Sequence, residues 1–371
     1  VIAALFALVS TLTLPSPSQL KAWGQETVDF VESHYRVPSS PLMLDKVVVD
    51  GKSRQPAFDW GVGVWLSALN AATIGDPRNQ DALRSFSEAT QQYWNTTPPV
   101  AGFDVLPGQK DADRYYDDNE WMVMALADSS TILHSRTIGQ QAVNALNFVL
   151  SGESSTLGGG IYWKERGKTS KNACSNGPGA AAAISIYNLE DDPRLVSQAA
   201  SLYAWTKSHL QDPSDHLYWD NIDLNGKIQK MKWSYNSALM IRSASELYRL
   251  TKNEVYAADT RAMVRSSIDR WIDPLTGSIK DGGRFAHLLI ESWLWAQKDV
   301  PSTFRPGELA KITIGPLVYI HEKVRHDGFY EGAWDRAFDP GVKNFELIDQ
   351  ASAARAYFMV GNFFSAHRSE L

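Results

Sequence analysis

A chain of 371 residues with 44% hydrophobic and 21% charged side chains has enough apolar material for a large core and is neither disordered nor a coiled coil. Lys and Arg number 36 against 42 Asp and Glu, a net charge of −6 without a basic run, so neither nucleic acid nor an anionic membrane surface has an electrostatic footprint. A single cysteine, Cys174, excludes an internal disulfide framework and cysteine-based zinc or iron–sulfur centres, and the eight histidines show no metal-ligand spacing, so no metal or cofactor is expected.

Residues 1–14, VIAALFALVSTLTL, are uncharged and too short to span a bilayer. Followed by PSPS, they read as the apolar part of a secretory signal peptide over residues 1–18, with 19–371 as one domain; the alternative is a buried element at the start of a shortened chain. Secretion is expected, with no membrane anchor, since the polar C-terminal HRSEL lacks the apolar tail of a GPI signal. Asn95-Thr96-Thr97 is a glycosylation sequon of a kind that chance alone supplies.

An amphipathic helix is predicted over 20–35, then a helix rich in small apolar residues from Trp60. The pair recurs. Small-residue helices start near Asp118, Gly177, Ser234, His287 and Gln350, at intervals of about 57 residues, and amphipathic ones cover 81–93, 137–150, 193–210, 254–271 and 308–323. Helices apolar all round must be buried, whereas amphipathic ones can face water, so six inner helices are expected inside six outer ones. The N-terminal outer helix would close the ring against the last inner one, giving an all-α, single-domain (α/α)6 toroid. Strands are expected only in short hairpins at 160–164 and 217–221, and the competing arrangement is two helical bundles joined near 170–175. Loops entering the inner helices are long and carry Trp, Tyr, Asp and Asn, which makes that mouth the expected cleft.

The densest polar cluster there is Tyr115-Tyr116-Asp117-Asp118-Asn119-Glu120-Trp121. One Asp before a helix is an ordinary N-cap, and Glu120 then suits a capping box. Two adjacent carboxylates repel, however, and a cap needs only one. A helix N-terminus favours ionisation of one, while like-charge repulsion and a drier environment raise the pKa of the other, the division of labour that glycoside cleavage requires. Sugar rings stack on aromatic faces, and Trp60, Trp163, Trp219, Trp233 and Trp334 fall at loop or pre-helix positions, where stacking and plain packing are equally open. Asp220, Asp281 and Asp335 read as turn residues.

The segments YYDDNEW, SKNACSNGPGAAAAISIY and WSYNSALMIRSASELYRLT resemble glycoside hydrolase family 76, the α-1,6-mannanases and related cell-wall mannan transglycosylases, over about Trp60 to Phe364. The resemblance implies the same toroid and a retaining mechanism with Asp117 as nucleophile and Asp118 as general acid/base. It also implies groove residues at Asn172, Asn176, Tyr235 and Asn236, with Asn176 alternatively capping the third inner helix; the aromatic reading adds Tyr115, Tyr116, Trp60 and Trp163 for substrate binding. Glu120 departs from the expected pattern. The expected partner is α-1,6-mannan and the expected state a monomer. Alternatives are a transglycosylase using the same intermediate, a mannan-binding toroid without turnover, and a uronyl hydrolase or epimerase, for which no convergent histidines are present.

Overall fold

A computed structural model describes residues 14–109 and 112–371. The apolar run read as a leader lies almost wholly outside them; α1 already begins at Pro17, where the Ser16 hydroxyl accepts from the Gln19 N–H at 3.2 Å. In chain order the helices are α1 (Pro17–His34), α2 (Asp59–Gly75), α3 (Gln80–Ala89), α4 (Tyr116–Leu133), α5 (Arg136–Leu150), α6 (Ala173–Glu190), α7 (Pro193–Leu210), α8 (Ser234–Thr251), α9 (Glu254–Trp271), α10 (Gly283–Asp299), α11 (Glu308–Tyr319) and α12 (Leu347–Ala366). The even-numbered helices form the inner ring. Each packs on the next, and α12 packs back on α2. The odd-numbered helices lie outside, and α1 closes the circle against α12. This is a single (α/α)6 toroid.

Small residues let the inner helices approach one another. In α6 every residue from Ala173 to Ile186 is buried, and a Cβ added at Gly63 of α2 would stand 2.8 Å from the Cβ of Trp121 on α4. Three inner helices end in a left-handed residue, His134, Asp191 or Lys252, and the next residue, Ser135, Asp192 or Asn253, caps the following outer helix with its side chain. These three turns, all at one mouth, are therefore two residues long. At the other mouth, long loops lead into the inner helices.

Those loops carry short strands: β1 (Lys46–Val48), β2 (Trp94–Asn95), β3 (Gly102–Phe103), β4 (Ser170–Asn172), β5 (Asn221–Asp223), β6 (Ile228–Gln229), β7 (Arg325–His326), β8 (Phe329–Tyr330) and β9 (Asn344–Glu346). The hairpins expected at 160–164 and 217–221 do not form. Ile161, Lys164 and Tyr218 each make a single bridge, to Glu153, Tyr115 and Gln211, and the nearby ladder is instead the antiparallel sheet β4–β5–β6.

A repeated device ties these loops to the inner helices. The fourth residue of α4, α6 and α12 is an amide, Asn119, Asn176 or Gln350. Each accepts the N–H of one loop residue and donates to its carbonyl: Phe103 at 2.7 and 3.1 Å, Ile161 at 2.7 and 3.0 Å, Tyr330 at 2.8 and 2.9 Å. The amide anchors the loop backbone to the first turn of the helix that follows it. α4, α6, α10 and α12 begin two to four residues before the positions the apolar pattern suggests.

Candidate active site

The first turns of the inner helices converge on one cavity of about 440 Å³ at the long-loop mouth. The second residue of each of four successive inner helices lines it: Trp60 on α2, Asp117 on α4, Cys174 on α6 and Tyr235 on α8. Their equivalence in the repeat is what brings together residues spread over 175 positions of the chain.

One wall is aromatic. Phe285 of α10 is its hub, stacked on Tyr235 at 4.5 Å and on Trp60 at 5.7 Å, with Trp233 at 5.3 Å. The facing wall is acidic and amidic, formed by Asp117, Asp118, Asn172, Asp220 and Asn221. Tyr115 and Trp163 meet edge to face at 5.0 Å on the same rim.

Asp117 and Asp118 occupy the second and third positions of α4, within its first turn and beyond the cap. The capping residue is Tyr115, whose side chain caps nothing; the Tyr116 N–H donates to the Trp163 carbonyl at 3.0 Å and the Asp118 N–H to Asp117 Oδ1. The two carboxylates differ in surroundings. Asp117 Oδ2 accepts from the Trp163 indole at 3.0 Å and the Cys174 thiol at 3.2 Å, and its Oδ1 accepts from the Asp118 N–H at 3.2 Å. Burial raises the Asp117 pKa against the pull of these donors. Asp118 has no such donors, and burial together with the Asp117 charge pushes it well above the usual carboxylate range. The pair is thereby split into a readily ionised member and one that holds its proton.

Two further acids stand behind them. Asp59, at the head of α2, and Glu120 are fully buried, with no hydrogen-bond partner on either oxygen. Burial, then Asp118 and Asp104, raises Asp59 well above its ordinary value; burial, then Asp117 and Asp118, does the same to Glu120. Glu120 is the fifth residue of α4 and packs beside Gly179 of α6, so it belongs to no capping box.

Of the ten residues singled out from sequence, seven meet in the cavity: Trp60, Tyr115, Asp117, Asp118, Trp163, Asn172 and Tyr235. Three do not. Tyr116, the first residue of α4, turns outward, stacks on Phe148 at 5.0 Å and is 2% exposed. Asn176 is buried holding the Ile161 backbone, neither a groove residue nor a cap. Asn236 is buried behind the wall, where its Nδ2 donates to Asp220 Oδ1 at 3.4 Å. Phe285, Cys174, Asp220, Asn221 and Ser170 line the cavity without having been singled out. Among the described residues no cluster of His, Cys, Asp and Glu is arranged to hold a metal ion, and no helix is long and apolar enough to cross a membrane.

Five inner helices delivering paired acids and an aromatic wall to one open cavity define a carbohydrate-processing type of toroid. Residues 39–303 match the profile of glycosyl hydrolase family 76, and the chain belongs to that family. It resembles the mannan endo-1,6-alpha-mannosidase DCW1 of Candida glabrata, with 28% identity over 52% of this chain and 40% of the relative, so the similarity covers less than half of that protein. Among solved structures it superposes on a GH76 alpha-mannanase of Bacteroides thetaiotaomicron with a TM-score of 0.87 and 27% identity, covering 94% of this chain and 97% of that one. An inactive variant of the alpha-1,6-mannanase GH76A of Salegentibacter sp. HEL1_6, bound to alpha-1,6-mannotriose, shares the fold with a TM-score of 0.78 and 21% identity over 93% and 99% of the two chains.

Proposed function

We propose that this chain is an endo-acting α-1,6-mannosidase that hydrolyses mannan outside the cell with retention of configuration. The observation that carries the reading is the unequal pair: Asp117 accepts three hydrogen bonds and Asp118, one residue on, accepts none from a side chain or backbone donor. Asp117, ionised, attacks the anomeric carbon while Asp118 protonates the departing glycosidic oxygen. Asp118, now ionised, takes a proton from water, and the resulting hydroxide displaces Asp117 from the sugar. The aromatic wall of Trp60, Tyr235 and Phe285 suits the C–H faces of mannose rings, and Asn172, Asp220 and Asn221 suit their hydroxyls. Family membership supports the substrate class, as does the Salegentibacter enzyme, whose inactive form carries asparagine at two consecutive aspartates.

Incubation with linear α-1,6-mannan, with product sizing and NMR of the newly formed anomeric centre, tests the reading. Asp117→Asn and Asp118→Asn are each expected to lower kcat at least a hundredfold, about 3 kcal/mol of barrier. Turnover unchanged in both variants, or first-formed products of inverted configuration, would remove the proposed mechanism. Products longer than the starting chain would identify transfer to a sugar in place of water.

A further inference from the structure

The thiol of Cys174 has no place in the reaction as written, yet it lies in the cavity and touches the nucleophile. It is not isolated: the sulfur reaches Asp117 Oδ2 at 3.2 Å, and Tyr235 lines the cavity with it. Tyr235, Cys174 and Asp117 are the second residues of α8, α6 and α4. One register position thus brings three neighbouring inner helices together at the cavity, with the thiol on the carboxylate. Trp163 reaches the same oxygen from the other side at 3.0 Å, its ring held by Tyr115 and its backbone by the Tyr116 N–H at 3.0 Å.

We propose that Cys174 acts with Trp163 as a positioning pair that occupies Asp117 Oδ2 and leaves Oδ1 as the attacking oxygen. The inference rests on Asp117 being the nucleophile. A carboxylate oxygen has two in-plane lone pairs, and the indole and thiol use both on Oδ2. Oδ1 gives one, at 3.2 Å, to the Asp118 N–H and keeps one free. When Oδ1 bonds to the anomeric carbon and the glycosidic bond breaks, with its oxygen protonated by Asp118, Oδ2 becomes the ester carbonyl. The two donors are already aimed at it.

A thiol suits this place because it is a weak donor. It helps Asp117 stay ionised in a dry setting without drawing away the electron density the attack needs. Burial, then the charges of Asp117 and Asp220, raises the Cys174 pKa well above its ordinary value, so the proton stays on sulfur and available for donation. The groups facing Asp117 and its donors are Asp118 and Glu120 on α4, Asp59 on α2 and Asp220 beside β5. All are acidic, which makes neutral donors the means of keeping Asp117 ionised.

The test compares Cys174→Ala and Cys174→Ser with the parent enzyme across pH on an α-1,6-mannooligosaccharide. Loss of the donor in Cys174→Ala is expected to lower kcat about tenfold with little change in KM, and to move the acidic limb of kcat/KM upward by about half a pH unit or more. Cys174→Ser, a stronger donor, should bring the limb back to its original position or below. A limb that stays in place in the alanine variant, or that moves identically in the serine and alanine variants, would assign Cys174 to packing alone. Should the parent enzyme not cleave mannan, the function fails separately from the pair of donors. Titration of the Asp117 carboxyl by ¹³C NMR, without substrate, then reads the same upward movement in Cys174→Ala, and its absence overturns the proposal.

Discussion

The barrel holds two sets of buried charges on the same inner helices, and they are treated in opposite ways. Halfway along α8, α10 and α12, Glu291 accepts from Arg355 at 2.9 Å and Arg242 at 3.2 Å, and Arg242 also pairs with Glu246 at 3.2 Å. Burial opposes ionisation of Glu291, but Arg355 and Arg242 overcome it and hold the carboxyl below its ordinary range. At the mouth, Glu120 and Asp59 are buried just as thoroughly and Asp118 lines the cavity; none has an arginine partner, and all three are pushed up. Burial is common to both places. The difference lies in how much counter-charge follows the acid inside: Glu291 has two arginines, whereas burial still keeps Glu246, bonded to Arg242 alone, above its ordinary range. The paired cluster joins the helices; the unpaired one is a cost carried by the rest of the fold, and costs of that kind gather at reactive sites.

The contrast is most severely tested by removing a counter-charge. Glu291→Ala leaves Arg242 and Arg355 short of their shared partner, and chemical denaturation should report a loss of about 3–5 kcal/mol. A loss below about 1 kcal/mol would mean that the mid-barrel ion pairs are as weak as those on a surface. Next in size is Asn176→Ala. It strands the N–H and carbonyl of Ile161, at an expected cost of about 1–3 kcal/mol, and it frees the loop that carries Trp163, so kcat should fall as well. Stability lost with kcat unaltered would separate the loop from the chemistry.

The smallest effect concerns the unpaired acids and has a definite sign. Their pKa values are higher folded than unfolded, so above the ordinary carboxyl range of about pH 4 the native state binds more protons than the unfolded one. Their contribution is therefore best at mildly acidic pH and declines as pH rises towards their folded values. Thermal melts should show a lower Tm at pH 8 than at pH 5. Glu120→Gln, which removes one of these protons from the balance, should flatten that slope and stabilise the protein at pH 8 by about 1 kcal/mol. A slope unchanged by the substitution would place the pH dependence in other groups.

The architecture was legible because burial on all sides leaves a composition, small and apolar, that recurs six times in the chain. The adjacent aspartates were legible because no ordinary structural role asks for two. What escaped notice depended on register. Counting the third inner helix from Gly177 instead of Ala173 made Asn176 look like a cap or a groove residue, when as fourth residue it faces the preceding loop. Counting the fifth from His287 left Phe285 outside the helix altogether, although it is the hub of the aromatic wall. Tyr116 and Asn236 flank residues that do reach the cavity; a step of about 100° around a helix separates the two fates, and composition is blind to that angle.

The closing of α1 and α2 onto α12 bears on how the protein comes into being. Tyr35 donates to the Phe345 carbonyl and Asn362 to that of Ala71, ties that reach across nearly the whole sequence. A chain leaving the ribosome can build the first five hairpin-like pairs in turn, but it cannot shut the circle until its last helix has been synthesised. Until then the flank of α2 that receives α12, where Gly61 meets Ile348 and Gly75 meets Asn362, lacks its neighbour. The closed ring that holds the mouth together therefore arrives late and all at once, with the final segment of the polypeptide.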